Sequence, residues 1–359
     1  MLPNSAITGG SGGSNHPEQP GAQRITGKLL VTQGYVVGIE ISGSGSHQSV
    51  ALADLQGTIL HRIRRPLAYV SDTETVLTLL DQMLAEVTDP QRLKDGRVLR
   101  VGVAVGGLVD AKHGLVKKLR HAHNWDDFPL QNYFAEKLAV PCIIDNSANA
   151  AALAEVTRGA GMGERVALYV GLGRGIGGGL VINGRIYHGT TSTAGEIGHI
   201  LVKEDGPKCS CGRFGHLEAI ASAQAIVRTM IGLSVEYPET EAAIRQLTGA
   251  RAESITADQV LQLAAQGDQV ALHVVQDVRT CLSTALANIV HLINPGIIIL
   301  GGSVAQGAYA EDQLLAPLRE RVQALCLPEA SQSLRIVAGN LRSDAGLIGA
   351  ITLALQDIY

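Results

Sequence analysis

The chain begins its folding pattern twice. Tyr35–Ile41 (YVVGIEI), Ser49–Ala53 and Thr58–Arg65 read as three consecutive strands, and Asp54-Leu55-Gln56-Gly57 between the last two carries a hairpin signal. Apolar residues at helical spacing follow over Asp72–Val87 (Val76, Leu79, Leu80, Met83, Leu84, Val87), with Ser71 or Asp72 placed to cap them. Leu99–Val105 and Val140–Ile144 have the continuous apolar character of buried strands, and the second leads into an Ala-rich helix from about Ala148 to Arg158. From Val166 the order restarts. Strands at Val166–Val170 and Gly179–Ile182 flank a glycine cluster, and helices are expected at roughly 218–232, 237–248, 257–266 and 268–293. Strands at Ile297–Leu300 and Leu334–Val337 then precede a last helix over about Asp344–Leu355. Adjacent strands followed by β-α-β, in duplicate, restrict the chain to a two-lobed α/β fold with a cleft between the lobes.

The expected division is a flexible tail over 1–28, with six glycines and three prolines and no apolar periodicity, a first lobe over 29–147 and a second over 148–359. The last helix, about 344–358, is expected to pack back on the first lobe. With 359 residues and 46% hydrophobic content the chain can fill both cores, and few aromatics (3%) imply that small aliphatic side chains do so. A net charge of −4 supplies no general basic field for nucleic acid, and no run of 18 apolar residues exists. The chain therefore reads as soluble and cytoplasmic. Five cysteines, two of them at 209 and 211, suit a reducing compartment and a metal site better than a disulfide framework.

Three constellations carry chemistry. His199, Cys209, Cys211 and His216 are spaced H-x9-C-x-C-x4-H; thiolates and imidazoles together suit tetrahedral Zn²⁺ in a closed structural site, against the alternative of two reduced cysteines and two solvent-facing histidines. Gly171-Leu-Gly-Arg-Gly-Ile-Gly-Gly-Gly179 lies between two strands, where exposed backbone N–H groups can cradle a phosphate or simply form a tight hairpin. Asn124, Asn146, Glu196, His199 and Glu218 are short, directional donors and acceptors of the kind that hydroxyl-rich ligands require, or else caps and turn residues.

AGEIGHI (194–200), CSCGRFGHLE (209–218), DNSANAAALAE (145–155) and IIILGGSV (297–304) together resemble the signatures of the ROK family (repressors, open reading frames, kinases) over about residues 33–358. The resemblance implies the sugar-kinase/actin-like, ribonuclease H-like fold. It places sugar contacts at Asn124, Asn146, Glu196, His199 and Glu218, with His199 giving one ring nitrogen to zinc and the other to a sugar hydroxyl. His216 stands where the family carries a third cysteine. Nucleotide positions would be Glu40, Gly43 and Ser44 in the first phosphate loop, Gly173, Arg174 and Gly175 in the second, and Gly301 and Gly302 near the base. LLVTQGYVVGIEI resembles the linker by which ROK regulators follow a helix-turn-helix, so this chain alone is not expected to bind DNA.

The departures point away from a kinase. ROK kinases place an Asp as general base where this chain has Ser147, a hydroxyl without comparable basicity near pH 7. Asp145, two residues earlier, is expected to face the opposite way on a strand. The first loop reads Glu40-Ile-Ser-Gly-Ser44 instead of Asp-x-Gly-Gly-Thr, and Arg174 stands where the second loop has Thr. The expectation is a regulator-type protein, a homodimer or tetramer that binds a sugar or sugar phosphate with little or no turnover. The alternatives are an ATP- and Mg²⁺-dependent hexose kinase with a displaced base, and an interaction protein that has lost its ligand.

Overall fold

The computed structural model describes residues 33–42, 47–67, 71–119, 122–249 and 251–358. The expected tail and the phosphate-loop positions Gly43 and Ser44 lie outside the described residues.

Two five-stranded sheets share one topology. In the first, the spatial order is Ile59–Pro66, His47–Asp54, Gly34–Ile41, Arg97–Val105, Cys142–Asn146. The first three are antiparallel and the last three parallel. The second sheet repeats this with Arg185–Ile186, Ile176–Ile182, Val166–Leu172, Ile297–Gly301 and Arg335–Ala338. Central parallel strands are covered on both faces, so they read as unbroken aliphatic runs; Ile297–Gly301 is buried throughout.

Two helices lie between the sheets. Ser147–Arg158 packs on the second sheet and Ala345–Leu355 on the first, and the two helices pack on each other. This sandwich works because the meeting surfaces are small: a Cβ on Gly102 would collide with the Ala350 carbonyl, one on Gly349 with the Ala150 backbone, and one on Gly38 with Ile351. The outer face of the first sheet is closed by the Thr73–Val87 helix, whose Val76, Leu80 and Met83 join Val37, Ile39 and Ile41. The long helix Gln269–Ile293 does the same for the second sheet. Among the described residues, no helix is long and apolar enough to cross a membrane.

Several segments differ from expectation, among them the helical stretch over residues 311–325, which carried no assignment. The helix expected over 218–232 is two pieces, Glu218–Ala221 and Ala223–Ser234, broken at Ser222 because its hydroxyl accepts the Ala225 N–H and starts a new helix. Between the strands of the first lobe, a hairpin of Gly107–Asp110 and Leu115–Leu119 and a helix Leu130–Leu138 fill a stretch that carried no assignment. Both are short elements whose apolar residues find partners only in the assembled lobe.

Candidate functional site

Every signature segment meets near the junction of the two sheets and the helix Ser147–Arg158. After the Arg185–Ile186 strand the chain runs without regular structure until Glu196, which precedes a single 3-10 turn, Ile197–His199. That turn brings the Glu196 carboxylate to 3.8 Å from His199 Nε2. The other nitrogen, His199 Nδ1, faces the cysteine loop.

The loop closes through two isolated bridges, Leu201 with His216 and Lys208 with Phe214, and through the Cys209 N–H to the Arg213 carbonyl at 2.7 Å. Gly215 at φ +70 passes against the Lys203 carbonyl, where a side chain would collide. The folded loop gathers His199, Cys209, Cys211 and His216 so that one donor atom from each lies within 4.8 Å of the others. His199 Nδ1 is 3.3 Å from His216 Nδ1 and 3.7 Å from Cys209 Sγ, and Cys211 Sγ is 3.3 Å from His216 Nδ1. A tetrahedral Zn²⁺ with bonds of about 2.3 Å to sulfur and 2.0–2.1 Å to nitrogen has donor–donor edges of about 3.3–3.8 Å. The donor set fits that ion. Without it, burial pushes the Cys209 thiol above its ordinary range, a proton that a bound metal would displace.

Glu218, expected among the sugar contacts, is buried and turned inward. One oxygen accepts the Ile176 N–H at 3.0 Å and the other the Ser210 hydroxyl at 2.8 Å. The carboxylate thus ties the cysteine loop to the glycine hairpin. In and around that hairpin glycines serve the chain's own packing: Gly179 of the hairpin lies against the Ala148 backbone of the border helix, while outside it Gly198 lies against the Ile176 carbonyl and Gly302, at φ +81, against Leu172. Gly173 differs. Its added Cβ would meet nothing nearer than the Gly175 carbonyl at 4.0 Å, so the Gly173-Arg174-Gly175 tip is the part open to an approaching group. Gly301 is closed off by the Tyr169 ring.

At the end of the first strand, Glu40 faces the Ala345–Leu355 helix, beside Gly346. Burial pushes its carboxyl up to about 7 against the lowering effect of Arg64, and Oε2 makes no hydrogen bond among the described residues.

Ser147 is the first residue of its helix and Asn146 the cap, so Asp145 and Ser147 are not two positions of one strand, where residues two apart would in any case share a face. Asn146 Oδ1 accepts the Ala148 N–H at 2.7 Å and Nδ2 donates to the Gly107 carbonyl at 2.7 Å. Asp145 is 3% exposed, and its Oδ1 accepts from the Asn146 N–H and from Asn149 Nδ2. Its Oδ2 lies 2.6 Å from Nε2 of His188, a residue that nothing in the sequence around it marks. That hydrogen bond raises the His188 pKa above its ordinary value. Asn124, at φ +63, is exposed and lines a cavity of about 480 Å³ on the first lobe with Thr73, Leu77 and Tyr133. The structure therefore pairs Asp145, the neighbour of Asn146, with His188, and gathers Glu196, Glu218 and the four metal-type donors, while Asn124 lines a cavity of the first lobe.

Residues 36–357 match the family model described as ROK family. The chain belongs to the ROK family. A glucokinase of Halalkalibacterium halodurans is 33% identical over 325 residues, covering 90% of this chain and 95% of that one. The xylose repressor of Bacillus spizizenii is 28% identical over 323 residues, covering 90% and 77%. Among solved structures, a ROK glucokinase from Streptomyces griseus in complex with glucose and AMPPNP superimposes with a TM-score of 0.75 at 29% identity, covering 90% of this chain and 100% of that one. The duplicated sheets and border helices of this ROK protein are the two-lobed, actin-like architecture of the family's sugar kinases.

Proposed function

We propose that this ROK protein binds a hexose or hexose phosphate at the junction of its lobes and responds to it with little or no phosphoryl transfer, as the effector-binding part of a regulator. Ser147 carries the reading. It occupies the first turn of the border helix, where ROK kinases resembling this chain place a carboxylate, and a hydroxyl cannot take a sugar proton near pH 7. Zn²⁺ held by His199, Cys209, Cys211 and His216 would fix the His199 ring and leave Nε2 toward the ligand beside Glu196. Glucose and xylose are the first probes, because relatives of both namesakes match over most of their length.

A second reading, an ATP- and Mg²⁺-dependent hexose kinase, is supported by one observation. The Asp145–His188 pair sets a carboxylate and an imidazole together two residues along the chain from Ser147, a combination that elsewhere makes a general base. A coupled assay with ATP and a panel of sugars separates the two. Turnover at roughly tens per second, the ordinary range for kinases, overturns the sensor reading. Background ATP consumption together with calorimetric heat on adding glucose or xylose, lost in Glu196→Ala, supports it.

A further inference from the structure

The Asp145–His188 pair joins elements of the two sheets. Asp145 is the penultimate residue of the Cys142–Asn146 strand of the first, and His188 follows the Arg185–Ile186 strand of the second. The carboxylate is held rigidly: its side chain is 4% exposed, Oδ1 is fixed by the Asn146 N–H at 2.7 Å and Asn149 Nδ2 at 2.9 Å, and Oδ2 is left for His188. His188 in turn heads the irregular segment that carries Glu196 and His199. Its carbonyl accepts the Ala194 N–H at 3.1 Å, which closes the loop, and the Ile197 N–H then bonds to the Gly195 carbonyl at 2.6 Å. Fixing His188 therefore fixes Ala194, and Glu196 lies two residues further on.

We infer that His188 is a positioning residue of the sugar site, anchoring the 188–199 segment to Asp145 so that Glu196 and His199 stand ready for a ligand. The inference rests on the sugar-binding reading and deepens it. Its logic is that an irregular segment pays an ordering cost when it binds, and a buried, hydrogen-bonded charge removes that cost in advance. A charge-assisted pair at 2.6 Å with a carboxylate already fixed by two donors is strong enough to do so. Regular structure cannot, since none lies between Ile186 and Ile197. A pair that served stability alone would leave ligand affinity untouched.

Three proteins test it: wild type, His188→Ala, and His188→Gln, whose Nε2 can still donate to Asp145. Amide hydrogen exchange over residues 189–199 should rise at least about tenfold in His188→Ala, the equivalent of about 1.4 kcal/mol, and return toward wild type in His188→Gln. Calorimetric affinity for glucose or xylose should fall by about the same factor in the alanine variant and recover in the glutamine variant, with metal content equal in all three. Unchanged exchange of the segment in His188→Ala overturns the inference whether or not a sugar binds. So does wild-type affinity in that variant with a lowered thermal midpoint, the mark of a merely stabilising pair. A wild type that binds no sugar overturns the sugar-binding reading, and the exchange comparison still decides whether His188 orders the segment.

Discussion

The carboxylate of Glu218 accepts the backbone N–H of Ile176 at 3.0 Å, and through its other oxygen the hydroxyl of Ser210. One side chain thereby connects the cysteine loop to the hairpin whose tip is Gly173-Arg174-Gly175. Glu218→Ala strands a buried N–H, at a cost of about 1–3 kcal/mol. Glu218→Gln keeps an acceptor and should lose less than half as much. Urea denaturation of the two variants checks the order; equal losses would mean that the charge, not the acceptor, holds the hairpin.

The metal prediction follows from the donor geometry. Protein purified without chelator should hold about one equivalent of zinc by plasma emission spectrometry. Cys211→Ser should hold far less, whereas His216→Cys should keep it, since thiolate and imidazole both serve the ion. Sugar affinity should fall with metal content, because an imidazole bound through Nδ1 is oriented at Nε2. Full sugar binding in metal-free protein would contradict the shared role of His199.

Glu40 predicts an unusual pH dependence. Burial raises its folded pKa to about 7 from the ordinary 4.5, so the folded state holds the proton more tightly than the unfolded one. Its contribution is therefore least unfavourable below about pH 4.5, and stability is lost as pH rises toward 7 and stays lost above. Glu40→Gln removes the ionisation. The variant should be more stable than wild type at pH 8, by up to roughly 3 kcal/mol, with the gap closing toward pH 5. A gap of the same size at both pH values would refute the buried acid.

Placing a carboxylate at the start of the border helix tests the proposed role of Ser147. Ser147→Asp should raise glucose-dependent ATP consumption by about 10²-fold, the lower end of what a general base contributes. Ser42 and Arg174 still depart from the family's phosphate loops and hold it there. No gain at all would show that the nucleotide end, rather than the base, limits transfer.

Gly102 tests the close packing between the lobes. Its added Cβ meets the Ala350 carbonyl, and backbone cannot step aside as a flexible side chain does. Gly102→Val should cost about 3 kcal/mol or give insoluble protein, read by denaturation and yield. A fully stable variant would mean that the C-terminal helix can lift from the first sheet.

Much of the fold was legible because its strands carry their signal locally. Tyr35–Ile41 and Ile297–Leu300 are aliphatic runs bounded by turns, and the cysteine loop announces its donors by residue type and spacing. What could not be read depends on pairings made only in three dimensions. His188 is a lone histidine ahead of Gly-Thr-Thr-Ser-Thr, and nothing near it in sequence names Asp145, 43 residues earlier, as its partner. The family signature around Glu218 names it as a ligand contact, but nothing in the sequence shows that its oxygens also hold the Ile176 N–H and the Ser210 hydroxyl. Ser222 was hidden within an apolar stretch, although a serine able to cap Ala225 was the signal for a break. Strand alternation gives no ground for setting Asp145 opposite Ser147, since residues two apart share a face, and it does not reach Ser147 at all, because the strand ends at Asn146 and the helix starts there.

The last helix, Ala345–Leu355, covers the face of the first sheet formed by Val36, Ala51 and Ala53. During synthesis those residues leave the ribosome some 300 positions before the helix that shelters them, which at about 5–20 residues per second is an interval of roughly 15–60 seconds. The first lobe must wait, half covered, for the end of the second. A fragment cut at residue 147 would carry the same open face permanently, so the two lobes, although distinct in space, are a single unit for expression and for any attempt to divide them.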